Sequence, residues 1–244
     1  MANIKAVVEY DGTGYSGFQR QSSLPTIQGE LEAALGKLLE ERTKITAAGR
    51  TDAGVHALGQ VVNFRTARAM PAERIPAAVN RLLPRQIVVK SAQRVADDFD
   101  ARRLAKARRY QYTIVNRDEP SALVGRFAYH TGDRLDVAAM RRAAQWLVGE
   151  HDFAAFQAAG SPSSTTVRRV TALRVGRLGD IVVVAIEADA FLYQMARIMV
   201  AALLAVGRGE LAPVEVRRIR DARDRKRIGS PAPPYGLCLV RVMY

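Results

Sequence analysis

A short polar stretch, residues 48–60, brings together side chains that could do acid–base or nucleophilic chemistry. It contains three glycines, the cation Arg50, the carboxylate Asp52 and the imidazole of His56. A carboxylate can act as a nucleophile when it stays ionised, and a nearby guanidinium favours that state. Arg50 and Asp52 would share one face if the local backbone is extended. The residue types alone fit a catalytic loop and a solvated ion pair equally well.

Two further residues could take part in chemistry on a nucleic acid. Arg197 is the one cation in a largely apolar helix predicted over 191–206, where a buried guanidinium is costly unless an anion pairs with it. From the sequence alone, a side chain that reaches the surface is favoured. Tyr110 and Tyr112 share a face of a predicted strand beside five cations. Such tyrosines are usually core residues, but an exposed ring could stack on an unstacked base.

The charge of the chain indicates a polyanionic partner. There are 37 Lys and Arg against 24 Asp and Glu, which gives a net charge of +13. Clustered cations gain affinity for phosphates by releasing counterions, so nucleic acid is the simplest partner. Two basic runs, 102–109 and 217–227, are candidate RNA surfaces. The residues singled out in them are Arg102, Arg103, Lys106, Arg108, Arg217 and Arg220.

Several other classes are disfavoured. The single cysteine, Cys238, excludes an intrachain disulfide and a cysteine cluster, and the three histidines are widely spaced, so no metal is expected. No apolar stretch approaches the length that spans a membrane, and a cytoplasmic protein is expected. Residues 12–17 spell G-x-G-x-x-G, which would suit a nucleotide-dependent oxidoreductase. However, the following segment is polar up to Pro25 and the next helix starts near Ile27, which argues against a dinucleotide site.

The elements that would position these residues mix strands and helices along the chain. Strands are predicted over 4–10, 44–47, 61–64, 86–95, 110–115, 167–175, 181–188 and 237–243, with a polar loop at 161–166. Helices are predicted over 27–42, 71–83, 136–148, 191–206 and 213–226, the first with Thr26 as N-cap and the third with Asp136. The order predicts an α+β protein with two similar halves, 1–105 and 106–244, on one shared sheet.

Motifs along the whole chain resemble those of the TruA-type tRNA pseudouridine synthases. The most specific segment is residues 50–57, which read RTDAGVHA. Other segments agree with the family in order and spacing: 10–17, 26–30, 80–84, 109–112, 149–153 and 191–197. The resemblance therefore covers essentially the entire chain.

This resemblance implies a fold, a reaction and a set of residues. The fold would be that of pseudouridine synthases, with a mixed, largely antiparallel sheet flanked by helices. The enzyme would be an isomerase that converts uridine to pseudouridine at positions 38, 39 and 40 of the tRNA anticodon stem-loop, as a homodimer and without a cofactor. Asp52 would be the nucleophile and Arg197 its partner. Tyr110 would stack on the target base and transfer a proton, and Arg50 would help to flip the nucleotide out of the stem.

The sequence also departs from the family pattern at several positions. They are Phe18 for a tryptophan, Asp100 for a histidine, Ile198 for an asparagine, Tyr235 for a glutamate and Cys238 for a tyrosine. None is a predicted catalytic residue, and the last two bear on the substrate contacts near the C-terminus. A basic RNA-binding or RNA-chaperone protein would explain the charge equally well, but it would give Asp52 and Arg197 no role.

Overall fold

The computed structural model describes residues 1–160 and 164–244, so the first half of the loop predicted at 161–166 lies outside the described residues. The chain divides into two compact units, one made of 1–106 with 238–244 and the other of 107–237. The sequence prediction drew the boundary after residue 105 and kept the final strand in the second half. That strand belongs to the first unit because it pairs in parallel with the strand at 56–66.

The first unit is built on a sheet of mostly antiparallel strands. Its strands are β1 (Ala2–Tyr10), β2 (Ile45–Ala47), β3 (His56–Thr66), β4 (Ile87–Val95) and, from the end of the chain, β10 (Leu237–Met243). Their order is β4–β1–β3–β10, with β2 against β3. β1 is antiparallel to β3 and to β4, whereas β10 is parallel to β3.

Two helices complete the first unit, α1 (Ile27–Leu39) and α2 (Ile75–Val79). Thr26 caps α1 as predicted, because its Oγ1 accepts a hydrogen bond from the amide of Gly29 at 3.2 Å. The helix predicted over 71–83 is a 3₁₀ turn followed by the short α2. Asn80 ends α2 by bonding the amide and the carbonyl of Val89 at 2.8 and 3.0 Å, which ties the chain to β4.

The second unit also combines a largely antiparallel sheet with helices. Its strands are β5 (Ala107–Asn116), β6 (Tyr129–Thr131), β7 (Gly149–Asp152), β8 (Val167–Leu178) and β9 (Ile181–Ala188), in the order β5–β9–β8–β7 with β6 parallel to β5. Its helices are α3 (Val137–Gln145), α4 (Met195–Gly207) and α5 (Pro213–Ala222). β6 and β7 were not predicted because three or four residues are too short to show a period.

The start of α4 differs from the prediction in a way that matters for the site. The helix begins at Met195 rather than at 191, because Gln194 has a left-handed φ of +58°. The amide of Met195 donates to the carbonyl of Leu192 at 3.1 Å and closes a turn there. Asp136 caps α3 as predicted, accepting from the amide of Ala139 at 2.9 Å.

The predicted α+β class with mixed, largely antiparallel strands flanked by helices is confirmed. Within the part of the chain that the structure describes, no helix has the length and apolar character needed to cross a membrane.

Candidate active site

The loop that joins β2 to β3 carries Arg50 and Asp52. The amide of Val55 donates to the carbonyl of Asp52 at 3.1 Å and closes a turn. Gly54 has a φ of +75° in this turn, a conformation that glycine adopts without strain. Arg50 is exposed and Asp52 is partly exposed, so solvent reaches both side chains. Asp52 is therefore the first residue of a hydrogen-bonded turn, residues 52–55. We call this turn, together with residues 48–51, the Asp52 loop.

A buried polar cluster holds the backbone on either side of Arg50. It consists of Tyr10, Thr51 and Gln60, and we call it the loop clamp. The hydroxyls of Tyr10 and Thr51 lie 2.7 Å apart, and Gln60 Nε2 donates to the carbonyl of Gly49 at 2.8 Å and to the Tyr10 hydroxyl at 3.4 Å. None of the three residues is more than 7% exposed. The clamp thus fixes the chain immediately before and after Arg50.

Two glycines that follow β1 pack directly against the backbone of the Asp52 loop. A Cβ on Gly12 would lie 2.1 Å from the carbonyl oxygen of Val55, and one on Gly17 would lie 2.9 Å from that of Thr51. The amide of Phe18 donates to the same Thr51 carbonyl at 3.0 Å. Close backbone packing therefore accounts for two glycines of the G-x-G-x-x-G spelling, whereas Gly14 has open space around it and a φ of +81°.

His56, the first residue of β3, connects this loop to the turn after β1. Its Nδ1 accepts a hydrogen bond from the amide of Gly12 at 3.0 Å and lies 3.1 Å from Asp11 Oδ1. The Asp11 carboxylate also accepts from the amide of Thr13 at 2.9 Å. Since His56 is only 4% exposed, its visible role is to support the loop from inside the unit.

Tyr110 lies on β5 in the second unit, opposite Ile186 of β9. Its ring meets that of Phe191 edge to face, with the ring centroids 4.9 Å apart. Tyr110 is 8% exposed. The ring therefore offers little open surface.

Arg197 lies in the first turn of α4 and is held by the connector before β10. Its Nε donates to the carbonyl of Ala232 at 2.7 Å, and the amide of Ala232 donates back to the carbonyl of Arg197 at 3.1 Å. The hydroxyl of Tyr112 donates to the carbonyl of Pro233 at 2.9 Å. Burial raises the pKa of Tyr112 far above its usual value, which keeps the hydroxyl a neutral donor. A guanidinium at a helix N-terminus adds to the positive end of the helix dipole, so an anion is favoured there.

The basic run of the first unit has cations that point to solvent. The carboxylate of Asp100 accepts from the backbone amides of Arg102 and Arg103, at 2.8 Å each, and so shapes the turn. Arg103 and Lys106 are exposed, and neither side chain forms an ion pair with any residue in 1–160 or 164–244. These cations are available to an external anion.

The cations singled out in the second unit are more strongly engaged. Arg217 lies 3.5 Å from Asp221 and covers the ring of Trp146 at 5.0 Å. Arg220 pairs with the same Asp221 at 2.6 Å, and its side chain is only 12% exposed. Arg108 donates to a backbone carbonyl at 2.6 Å. The burial of Arg220 leaves it little of the surface that its predicted contact with RNA would need.

The structure places Arg50 and Asp52 in one loop of the first unit, and Tyr110 and Arg197 in the second unit. Sequence reasoning named His56 among the residues of the loop that could do chemistry, but it did not single out the other polar residues that support the loop, namely Tyr10, Asp11, Thr51 and Gln60. The available signal was position: each is a polar or amphipathic residue in or beside an apolar strand that flanks a candidate loop.

Comparison with known proteins identifies the family. Residues 6–102 and 143–244 match the family model described as tRNA pseudouridine synthase. The tRNA pseudouridine synthases A of Acetivibrio thermocellus and Moorella thermoacetica are each 46% identical to this chain, and tRNA pseudouridine synthase A 2 of Clostridium perfringens is 43% identical. Each alignment covers 100% of both proteins. The chain belongs to the tRNA pseudouridine synthase family, which confirms the predicted fold and isomerase class.

Proposed function

We propose that this chain isomerises uridine at positions 38, 39 and 40 of the tRNA anticodon stem-loop, with Asp52 as the catalytic carboxylate. The observation that carries the proposal is the construction of the Asp52 loop. The turn that begins at this carboxylate is fixed by the loop clamp, by packed glycines and by His56. Catalysis gains most from a group that is held in its working position before the substrate arrives.

The reaction needs no reactant other than the nucleotide itself. The bond between ribose C1′ and uracil N1 breaks, the uracil turns, and C1′ forms a bond with C5. The proton on C5 leaves and N1 acquires one, so the atoms balance without an oxidant, a reductant or a group donor. Ionised Asp52 can attack C1′ of the ribose or C6 of the uracil, or assist removal of a proton from the sugar.

The other candidate residues take roles that follow the resemblance. Arg50, exposed beside Asp52, helps to turn the nucleotide out, since a base inside a stem cannot be reached. Arg197 acts as the partner of the Asp52 carboxylate, and in the second unit its Nε donates to the carbonyl of Ala232. Tyr110 stacks on the base and relays the C5 proton.

The anticodon arm is recognised mainly through phosphates and shape, because A-form RNA exposes little base information to side chains. Exposed Arg103 and Lys106 are the strongest candidates for phosphate contacts. Arg102, Arg108 and Arg217 join this group as weaker candidates. The protein is proposed to act as a cytoplasmic homodimer, and light scattering with and without RNA tests the dimer.

Substitution of Asp52 tests the proposal. Unmodified anticodon stem-loops with a single uridine at position 38, 39 or 40 are incubated with the protein, and pseudouridine is mapped chemically. Asp52→Asn should lower the rate by about 10³-fold or more, because the nucleophile is lost, while RNA affinity changes little. Asp98→Asn, an exposed carboxylate of the same unit, is the matched control and should keep full activity.

The same assay separates the RNA-binding alternative. If the wild-type protein binds the stem-loops but forms no pseudouridine, the chain is an RNA-binding protein that has kept the fold. If Asp52→Asn still forms pseudouridine at the wild-type rate, the proposed mechanism is wrong.

A further inference from the structure

The loop clamp joins β1, the Asp52 loop and β3 through a continuous line of buried polar groups. Tyr10 is the last residue of β1, and Gln60 lies within β3. The pairing of these strands shifts here, since Val8 pairs with Gln60 whereas Tyr10 pairs with Ala57. β3 therefore carries one extra residue, and such bulges redirect side chains next to functional sites. The shift occurs where Tyr10 meets the loop.

Thr51 is the point at which the clamp acts on the loop. Its side chain is held by the Tyr10 hydroxyl at 2.7 Å, and its carbonyl accepts from the amide of Phe18 at 3.0 Å. Thr51 is 7% exposed, between exposed Arg50 and partly exposed Asp52. A rotation of Thr51 would therefore displace both neighbouring side chains together.

We propose that Tyr10, Thr51 and Gln60 are positioning residues that set the orientation of Arg50 and Asp52 for the reaction. This inference rests on the proposed function. The three side chains are too buried to touch a substrate, so they act through the loop backbone. Gln60 holds the carbonyl of Gly49 and the Tyr10 hydroxyl with one amide group, which links the two fixed points of the loop.

Two substitutions remove the central bond with almost no change in shape. Tyr10→Phe deletes one hydroxyl, and Thr51→Val replaces the other with a methyl group. Each should lower the single-turnover rate at saturating stem-loop RNA by about 10- to 100-fold, as expected for a small displacement of a reacting group. The Kd for RNA should stay within about twofold, because the clamp does not contact RNA. Thr51→Ser keeps the hydroxyl and should restore most of the rate.

Tyr244→Phe is the matched control. It also deletes a tyrosine hydroxyl in the first unit, one that donates to the carbonyl of Ala101 at 2.8 Å, away from the Asp52 loop. It should leave the single-turnover rate unchanged, while its melting temperature should fall by about as much as that of Tyr10→Phe. A rate loss confined to the clamp variants supports positioning rather than a general loss of stability.

The double variant Tyr10→Phe with Thr51→Val completes the test. Because both changes delete the same bond, its rate should be no lower than that of the slower single variant. The inference is overturned if the two losses multiply, if the variants lose only melting temperature, or if the loss lies entirely in RNA affinity. Should Tyr10→Phe not fold, the contrast between Thr51→Val and Thr51→Ser decides. Activity of Asp52→Asn would instead overturn the proposed function.

Discussion

Tyr10 on β1 and Tyr112 on β5 each use a buried hydroxyl to hold a segment next to a candidate residue. In the first unit, Tyr10 bonds the side chain that precedes Asp52, at 2.7 Å. In the second unit, Tyr112 donates to the carbonyl of Pro233 at 2.9 Å, and the carbonyl one residue earlier accepts the Nε of Arg197. Each segment also contacts a closely packed glycine or contains one: Gly12 packs against Val55 of the Asp52 loop, and Gly236 packs against the Tyr112 ring.

The difference lies in the partner of each hydroxyl. The Tyr10 hydroxyl meets a side chain, so the bond depends on residue type at both ends. The Tyr112 hydroxyl meets a backbone carbonyl, which any residue would supply. The second segment instead gains stiffness from its prolines at 231, 233 and 234, whose φ angles are fixed. The first site thus depends on matched side chains and the second on a stiff backbone.

Of the variants that compare the two sites, Gly12→Ala should cause the largest loss of stability and activity, because it disrupts the Asp52 loop. The new Cβ would lie 2.1 Å from the carbonyl oxygen of Val55, a backbone atom, and Cβ is itself fixed to the backbone through Cα, so neither can easily yield. We expect a loss of about 3 kcal/mol in unfolding free energy and a rate about 100-fold lower. Thermal melting and single-turnover assays measure the two effects.

Gly49→Ala is the control for stability, because a Cβ there meets no atom within 4 Å. Its unfolding free energy should change by less than about 0.5 kcal/mol. If Gly12→Ala behaves like Gly49→Ala, packing of glycine against the loop does not set the site.

Gly236→Ala is the corresponding change in the second site and should have a smaller effect. Its Cβ would lie 2.6 Å from Cζ of Tyr112, which is a side-chain atom and can shift a little. We expect a loss of about 2 kcal/mol, measured by denaturant unfolding. A loss equal to or larger than that of Gly12→Ala would contradict the view that the second site adapts more easily.

Tyr112→Phe compares the two tyrosines directly. It leaves the carbonyl of Pro233 without its donor and should cost about 1 kcal/mol in unfolding free energy. Because the prolines keep the connector in place, the rate should fall less than in Tyr10→Phe. Parallel melting curves and single-turnover rates of the two variants check this. Equal rate losses would mean that the connector is as dependent on its tyrosine as the Asp52 loop.

Structural features that depend on local sequence pattern were predicted correctly. The caps at Thr26 and Asp136 and the span of β10 follow from residue type and alternation. Features that depend on contacts with residues far away in the sequence were predicted less well. The helix predicted over 71–83 is short because the Asn80 side chain bonds β4, a contact that no periodicity reveals. The start of α4 is set by the left-handed Gln194, an unusual conformation for a residue other than glycine.

The candidate site shows the same limit. Motif similarity identified Asp52 and Arg50, but it gave no reason for Tyr10 or Gln60, whose roles depend on hydrogen bonds over 41 and 11 residues of sequence. It also treated Arg220 like its exposed neighbours, whereas that side chain is only 12% exposed, bonded to the carbonyl of Trp146 after α3 and paired with Asp221. Burial of a charged residue follows from tertiary packing, which composition cannot show.

The smallest predicted effect concerns surface cations of the two units. We expect them to differ only in how much they contribute to the salt dependence of RNA affinity. Arg218 and Arg227 both bond Glu215, and Arg218 above all holds the pKa of that carboxyl below its usual value. Arg103 and Lys106 form no ion pair within the described chain. Replacing Arg103 and Lys106 together by alanine should reduce the slope of log affinity against log salt by about 1.5, since about two phosphate contacts are lost.

Replacing Arg218 and Arg227 by alanine should leave that slope nearly unchanged, because their charge already serves Glu215. The measurement is stem-loop RNA binding over a series of salt concentrations, with both double variants and the wild-type protein. If the second pair lowers the slope as much as the first, internal ion pairing does not decide which cations meet RNA. The contrast between the units would then be confined to the two tyrosine-held segments.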